Sequence, residues 1–191
     1  MQNCKPMENM RVDLSKYRNV FSFRNLVVRV IWTIIWNIFA RPFPRAVFNV
    51  WKLYLLRMFG AKIHKKAKVY SSAKIYMPWN LEMDEYSCLA ADVDCYNVDK
   101  IKIGAHSTVS QKCFICTASH NIKDSAHSLI TAPIIIEDQA WIAADAFIGP
   151  GVKISQGAVV GARAAVFKNI EPWTIVGGNP AKYIKNRELT C

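Results

Sequence analysis

Four histidines and six cysteines carry most of the chemistry that this 191-residue chain can offer. A neutral imidazole, with a reference pKa near ~6.5, exchanges protons readily at physiological pH, so each histidine is a candidate base. His120 closes the run Cys116-Thr117-Ala118-Ser119-His120, and His127 follows seven residues later. His64 and His106 stand among charged or polar neighbours and read as solvated surface. The cysteines, at 4, 88, 95, 113, 116 and 191, form no framework of regular spacing. Cys113-x-x-Cys116 is the one close pair, and a redox or metal role would need an adjoining helix or a second pair. Neither is present, so these thiols read as small residues in repeat positions of a protein from a reducing cytoplasm.

What positions His120 is a six-residue beat. Ile136, Ile142, Ile148, Ile154, Val160 and Val166 recur in one phase. Small or polar residues follow them (Ala143, Gly149, Ser155, Gly161), and alanines stand two places before the next aliphatic (Ala140, Ala146, Ala158, Ala164). Self-similarity at a fixed period marks a stacked repeat. One β-branched side chain per six residues points inward, small residues occupy the bends, and three hexads make a triangular coil whose strands pair in parallel with the next coil, about 4.8 Å away. The expected fold is mainly β, a parallel β-helix.

The beat runs upstream through Ile63, Val69 and Ile75, then Met83, Leu89 and Cys95, then Ile103, Val109 and Ile115. Between Cys95 and Ile103 the step is eight, and from Ile115 to Ile136 it is 21, not a multiple of six. A loop is therefore expected to leave the stack at about 121–133, and inserted loops on repeat scaffolds tend to carry function. His120 stands where the stem gives way to that loop, and His127 lies within it. The expected organisation is an N-terminal extension over 1–60, the β-helix over 61–177 and a C-terminal tail over 178–191.

Charge is unevenly distributed. Residues 1–60 hold 10 basic and 2 acidic side chains, whereas residues 61–191 hold 15 and 12. The same N-terminal third is the most apolar. Leu26 to Ala40 reads as a helix with a single polar ridge, Asn25, Arg29, Thr33 and Asn37, spaced by four. At 1.5 Å per residue, fifteen residues reach about 22 Å, short of the ~30 Å hydrocarbon core. Some 24 residues precede the run, and no small-residue cleavage site follows, which argues against a signal peptide. Arg41-Pro42-Phe43-Pro44-Arg45 breaks the helix, and Ala46–Phe59 reads as a second one ended by Gly60. Residues 20–60 would either pack on the flank of the β-helix or at a subunit interface, or dock on an anionic bilayer, and these readings are compatible. The basic residues are interleaved with aliphatics and no nucleic-acid motif is present, so nucleic-acid binding is not expected.

Several segments together resemble the hexapeptide-repeat acyltransferases, left-handed β-helix enzymes that move acetyl groups from acetyl-CoA. Within them the similarity is strongest to the acetyltransferases of colanic acid biosynthesis. The residues that carry it are Val93-Asp94-Cys95-Tyr96-Asn97-Val98-Asp99, Thr117-Ala118-Ser119-His120 and Leu129-Ile130-Thr131-Ala132-Pro133-Ile134. They continue with Ala140-Trp141-Ile142-Ala143-Ala144, Gly149-Pro150-Gly151-Val152, Val160-Gly161-Ala162-Arg163 and Gly177-Gly178-Asn179-Pro180-Ala181-Lys182, and Leu55–Ala61 adds to them. Hexads alone name a superfamily, while the Thr-x-Ser-His and Gly-Asn-Pro-Ala-Lys segments are more specific.

The resemblance implies an acetyl-CoA-dependent O-acetyltransferase of a sugar hydroxyl, in exopolysaccharide, capsule or lipopolysaccharide biosynthesis. His120 matches the catalytic base, with direct transfer and no acyl-enzyme. Asp94, Asn97 and Asp99 match the stretch that meets the acceptor across a subunit boundary, although Asp and Asn are also ordinary turn residues. Trp141 matches the aromatic lining of the donor cleft, or it covers a flat sheet face. Gly161 and Ala162 match the small residues along the pantetheine arm. Lys168 and Lys185, with Lys182 and Arg187, are candidates for the phosphates of CoA, or belong to a solvated tail. The family pattern also implies a homotrimer with sites between subunits; the cysteine usage points to the cytoplasm, with residues 20–60 as the candidate contact with the inner face of its membrane, and no metal is expected. Two residues depart from the pattern: Ala118 where relatives often have Gly, and Asn169 where an acidic residue often follows the lysine.

Three alternatives remain. The acceptor could be a xenobiotic or an amino acid hydroxyl, whereas the basic apolar N-terminus favours a lipid-linked sugar. A zinc lyase on the same fold, as in γ-class carbonic anhydrase, needs three convergent histidines, and His106, His120 and His127 lack its spacing. A non-catalytic β-helix scaffold would bind no acetyl-CoA.

Overall fold

The computed structural model describes residues 11–43 and 45–190, so Cys4, Pro44 and Cys191 lie outside the described residues. From Lys62 the chain winds into a parallel β-helix of three faces. Face one is built from Lys62–Ile63, Leu81–Met83, Ile101–Ile103, Ile134–Ile136 and Lys153–Ile154. Face two stacks Lys68–Val69, Cys88–Leu89, Thr108–Val109, Trp141–Ile142, Val159–Val160 and Thr174–Gly177. Face three stacks Lys74–Ile75, Asp94–Tyr96, Phe114–Cys116, Phe147–Ile148 and Ala165–Val166.

The hexad register explains the pairing. Ile103 sits over Met83 and under Ile136, which sits under Ile154, while Val109, Ile142, Val160 and Val176 follow one another on face two. All of these side chains are buried, as are the corner alanines Ala140, Ala146, Ala158 and Ala164. Each buried Ile or Val contributes about 1.5–3 kcal/mol relative to exposure. The corners need left-handed backbone from ordinary residues, including Tyr86, His106 and Gln139 at one edge and Asp92, Lys112, Asp145 and Arg163 at the next. Isolated L-residues resist that conformation. Here the bonds between coils hold it, as where the His106 and Gln139 N–H groups donate to the Glu85 and Ala105 carbonyls at 3.0 and 2.8 Å.

The third edge, from face three to face one, absorbs every insertion. The steps from Ile75 to Met83 and from Cys95 to Ile103 are both eight residues, the first accommodating a short 3-10 turn at Pro78–Asn80. One coil higher, the same edge expels a β-hairpin, Ala118–His120 paired antiparallel with Leu129–Thr131. The excursion therefore starts at the end of the Phe114–Cys116 strand, a few residues before Asn121.

The N-terminal extension contains α1 (Phe23–Phe39), capped by the Ser22 hydroxyl, which accepts from the Asn25 N–H at 3.2 Å, and α2 (Arg45–Met58), with non-helical backbone at Phe48. Gly60 follows α2 at φ +88°, and the Ala61 N–H donates to the Leu56 carbonyl at 3.0 Å, which ends the helix. α1 is fastened to the flank of the β-helix by two buried tryptophans one turn apart. The Trp32 and Trp36 indole N–H groups donate to the Ile75 and Ala73 carbonyls at 2.7 and 3.0 Å. The polar ridge read from the sequence is a chain of contacts along the helix: Arg29 to Asn25, Thr33 to the Arg29 carbonyl, Asn37 to the Thr33 carbonyl and Arg41 to Asn37. Among the described residues, no helix is long and apolar enough to cross a membrane. The C-terminal segment is not a free tail: Lys182–Asn186 pairs antiparallel with Thr174–Gly177 and closes face two.

Candidate active site

His120 ends the first strand of the hairpin, opposite Leu129, and its ring is exposed. Its Nδ1 lies 2.6 Å from the carbonyl oxygen of His127. A carbonyl only accepts, so Nδ1 carries a proton, and in the neutral ring Nε2 holds the lone pair. That is the tautomer a general base requires. His127 adopts left-handed backbone, φ +50°, at the hairpin tip. The carboxylate of Asp124 holds the tip, accepting from the Ala126 N–H at 3.0 Å and the Ser128 N–H at 3.2 Å. Bonding from Ala126, then from Ser128, keeps the Asp124 carboxyl below its ordinary pKa. A spaced Asp-Ser-Ala-His turn is the only sequence signal for this arrangement, and hexad reasoning does not reach it.

The base of the hairpin is tied to the coil beneath. Asp99 accepts from the Thr131 hydroxyl at 3.1 Å, and its own N–H donates to the Thr117 hydroxyl at 2.8 Å. Asp99 thus lies at the foot of the His120 hairpin, half-buried. Asn97 differs from its expected role. It is fully buried, its Oδ1 accepts from the Met77 N–H at 2.9 Å, and its Nδ2 donates to the Met77 carbonyl at 2.6 Å. Both ends of the amide are occupied, so Asn97 clamps two successive turns of the insertion edge and presents no polar group outward. Asp94 opens its strand on face three, 3.9 Å from the Lys74 ammonium, at the wall of a cavity of about 400 Å³ between α1 and face three. Trp36, Arg41, Tyr76 and Tyr96 also line that cavity.

The residues expected to bind the donor fall elsewhere. Trp141 stands outward on face two, its indole N–H donating to the Ser110 hydroxyl at 3.0 Å. Along the same row come Val159, Ile175 and Lys185, each paired with the one before. Three steps of about 4.8 Å separate Trp141 from Lys185, a strip about 14 Å long. Gly161 lies at the corner after face two, where a Cβ would stand 3.1 Å from the Val176 carbonyl oxygen, and Ala162 is exposed beside it. Lys168 is exposed on the insertion edge, at a cavity of about 400 Å³ that also includes Lys182 and Tyr183. Arg187 is already engaged. Its guanidinium donates to the Gln139 and Gly157 carbonyls at 2.8 and 2.9 Å and lies over the Trp173 ring, pinning the last strand to the stem.

Within one chain, then, His120, Asp99 and Lys168 share the insertion edge, whereas Trp141, Gly161, Ala162 and Lys185 occupy face two and its far corner. One contact near His120 was not legible in the sequence. The segment before α1 crosses the hairpin, with the Asp13 N–H donating to the Ser125 carbonyl at 2.9 Å and the Tyr17 ring 6.1 Å from the His120 ring.

Cys95, Cys113 and Cys116 are buried, and burial pushes each above the ordinary thiol pKa. His106 stacks on Tyr86 at 4.9 Å, and the His64 Nδ1 faces the Lys66 N–H at 3.4 Å. Among the described residues, no group of His, Cys, Asp or Glu is arranged to hold a metal ion.

No protein-family model matches the chain. It is 39% identical over 181 residues to the protein named as a colanic acid biosynthesis acetyltransferase, WcaF, of Escherichia coli K12, an alignment covering 93% of this chain and 98% of that one. A chloramphenicol acetyltransferase of Escherichia coli is 57% identical, over only 53 residues, 28% of this chain and 25% of that one. Among solved structures, a maltose O-acetyltransferase from Clostridium difficile 630 superposes with a TM-score of 0.78 at 26% identity, covering 88% of this chain and 90% of that one. A hexapeptide-repeat acetyltransferase of Vibrio cholerae in complex with acetyl coenzyme A shares the fold, with a TM-score of 0.77 at 23% identity over 90% and 93% of the two chains. By the full-length relative and by its coils, the chain belongs to the hexapeptide-repeat acetyltransferases, with the left-handed β-helix of that family.

Proposed function

We propose that the protein is an acetyl-CoA-dependent O-acetyltransferase of a saccharide hydroxyl, serving exopolysaccharide, capsule or lipopolysaccharide biosynthesis in the cytoplasm. The observation that carries this reading is the His127 carbonyl 2.6 Å from His120 Nδ1 on an exposed edge, which in the neutral ring assigns the lone pair to Nε2. The acceptor hydroxyl oxygen attacks the thioester carbonyl carbon while Nε2 takes its proton. Collapse of the tetrahedral intermediate breaks the C–S bond, and the imidazolium returns the proton to the departing thiolate. The products are the acetyl ester and free CoA. Buried thiols with raised pKa values offer no competing nucleophile, which supports direct transfer.

Asp99, at the foot of the hairpin, and Asp94, beside the aromatic cavity, are the acceptor contacts in this reading, with Asn97 fixing the turn between them. Trp141 flanks the donor, Gly161 and Ala162 leave room for the pantetheine arm, and Lys168 and Lys185 meet the phosphates. Because the His120 edge and the Trp141 strip lie on different sides of the prism, one chain does not close a site. The edge of one subunit set against face two of the next would close it, and three such contacts make a homotrimer. The full-length similarity to a polysaccharide-pathway acetyltransferase favours a sugar acceptor, because the chloramphenicol acetyltransferase match spans only a quarter of that enzyme.

Calorimetric titration with acetyl-CoA tests the donor half of this reading without knowledge of the acceptor. Saturable binding at one site per chain, weakened by Trp141→Ala and by Lys185→Ala, is expected. No binding at millimolar donor would leave a β-helix scaffold.

A further inference from the structure

The tryptophans that fix α1 leave its opposite side bare. Trp32 and Trp36 point into the flank, whereas Phe23, Val27, Val30, Ile34 and Ile38 recur at steps of four and three on the far side of the helix. Phe23 is 81% exposed, and Val30, Ile34 and Ile38 are each more than half exposed. The surface continues onto α2. Trp51 donates its indole N–H to the Phe39 carbonyl at 2.8 Å and stacks on Tyr54 at 5.9 Å, with Val50 and Met58 exposed on the same helix. Contiguous apolar surface of this kind marks an interaction site, and Trp and Tyr at its margin suit a boundary between apolar and wet surroundings.

The charge around it selects the partner. Between Asp13 and Glu82 the sequence contains thirteen Lys and Arg and no acidic residue. Arg24 and Arg41 are exposed at the ends of α1, and Arg11, Lys16 and Arg18 are exposed on the segment before it. A second copy related by a twofold axis through the stripe would bring these cations against themselves, and the proposed threefold contact uses the His120 edge and face two instead. An anionic lipid surface accepts them, and it takes side chains such as Ile34 and Val30 without demanding a matching shape. α1, 17 residues long, lies flat in this arrangement and does not span.

We propose that the outward face of α1, extended by Trp51 and Tyr54 of α2, docks the protein on an anionic bilayer. The docked helix stands close to the chemistry. Tyr17, beside the His120 ring, is six residues from Phe23, at most about 21 Å of chain. A bilayer held by α1 therefore lies within reach of the His120 edge, and an acceptor carried on a lipid is presented there. The surface itself is independent of the acetyltransferase reading and is tested separately from it.

The test is co-sedimentation of the full chain with extruded vesicles, either zwitterionic phosphatidylcholine alone or the same lipid mixed with phosphatidylglycerol. Wild type is expected to bind the anionic vesicles at low salt, to bind neutral ones weakly and to lose affinity as salt rises. Val30→Glu with Ile34→Glu lowers the partition coefficient at least about tenfold, each substitution removing an exposed aliphatic from the docking face. Arg18→Gln with Arg24→Gln lowers the affinity for anionic vesicles and flattens its salt dependence. Light scattering and acetyl-CoA titration of the same variants are expected to match wild type, which shows that fold and donor site are intact. Absence of wild-type binding to anionic vesicles overturns the proposal. So does a change of oligomeric state in the Val30→Glu, Ile34→Glu variant, which would make the stripe an interface between copies.

Discussion

Replacing Asn97 separates a buried clamp from an acceptor-binding side chain. The residue is fully buried, and it satisfies the Met77 N–H and carbonyl at 2.9 and 2.6 Å. Asn97→Ala leaves the Met77 N–H without a partner where Met77 itself is 2% exposed, while the Met77 carbonyl keeps the Asn80 N–H at 2.9 Å. An orphaned buried donor costs about 1–3 kcal/mol. With roughly 2–4 °C per kcal/mol for a chain of this size, a middle value of ~2 kcal/mol lowers Tm by about 4–8 °C. Asn97→Asp keeps the acceptor for the Met77 N–H but faces the Met77 carbonyl with a second acceptor, so it is destabilised as well. The assay is thermal unfolding followed by circular dichroism, with the donor Kd measured below the transition. A Tm within ~2 °C of wild type together with a raised acceptor KM would refute the clamp.

Asp124→Ala removes the acceptor for the Ala126 and Ser128 N–H groups and frees the tip that carries the His127 carbonyl; kcat falls while the acetyl-CoA Kd from calorimetry is unchanged. The carboxyl of Asp124 is depressed, so its support of the tip is complete above the unfolded value near ~3.9 and is lost as pH falls through the lower folded value. Amide exchange of residues 121–128 measured across that window follows this loss, whereas Asp124→Asn shows none. Gly161→Val crowds the Val176 carbonyl at the corner and fills the expected pantetheine path; acetyl-CoA affinity drops at least about tenfold in the same titration, and wild-type affinity would remove Gly161 from the donor site.

The stem was legible because its physics is local and repeated. One inward aliphatic per face dictates that Ile136, Ile142 and Ile148 occupy successive faces, and the 21-residue step after Ile115 locates the excursion that carries His120. The side on which each polar residue would work was not legible. Asp94, Asn97 and Asp99 lie within six residues, yet one lines a cavity, one is sealed inside and one braces the hairpin. Hexad phase fixes only inward or outward, and the eight-residue steps at the insertion edge break that phase just where these residues stand. α1 shows the same limit. Its spacing reveals the ridge from Asn25 to Asn37, but Trp32 and Trp36 became its anchors because the Ile75 and Ala73 carbonyls sit where indole N–H groups reach them. Arg187 was placed with the phosphates by charge, and its contacts with Gln139 and Gly157 exist only once the last strand folds back.

The central claim is that His120 acts as the base with its Nδ1 fixed and Nε2 free. The direct measurement is CoA release from acetyl-CoA in the presence of a saccharide acceptor, for wild type and His120→Ala, with donor Kd recorded for both. A positioned base contributes about 10²–10⁴-fold, so His120→Ala is expected to lose at least ~100-fold in kcat while binding acetyl-CoA normally. A variant that keeps its rate within about threefold of wild type would contradict the account, since proton removal would then need no group on the hairpin.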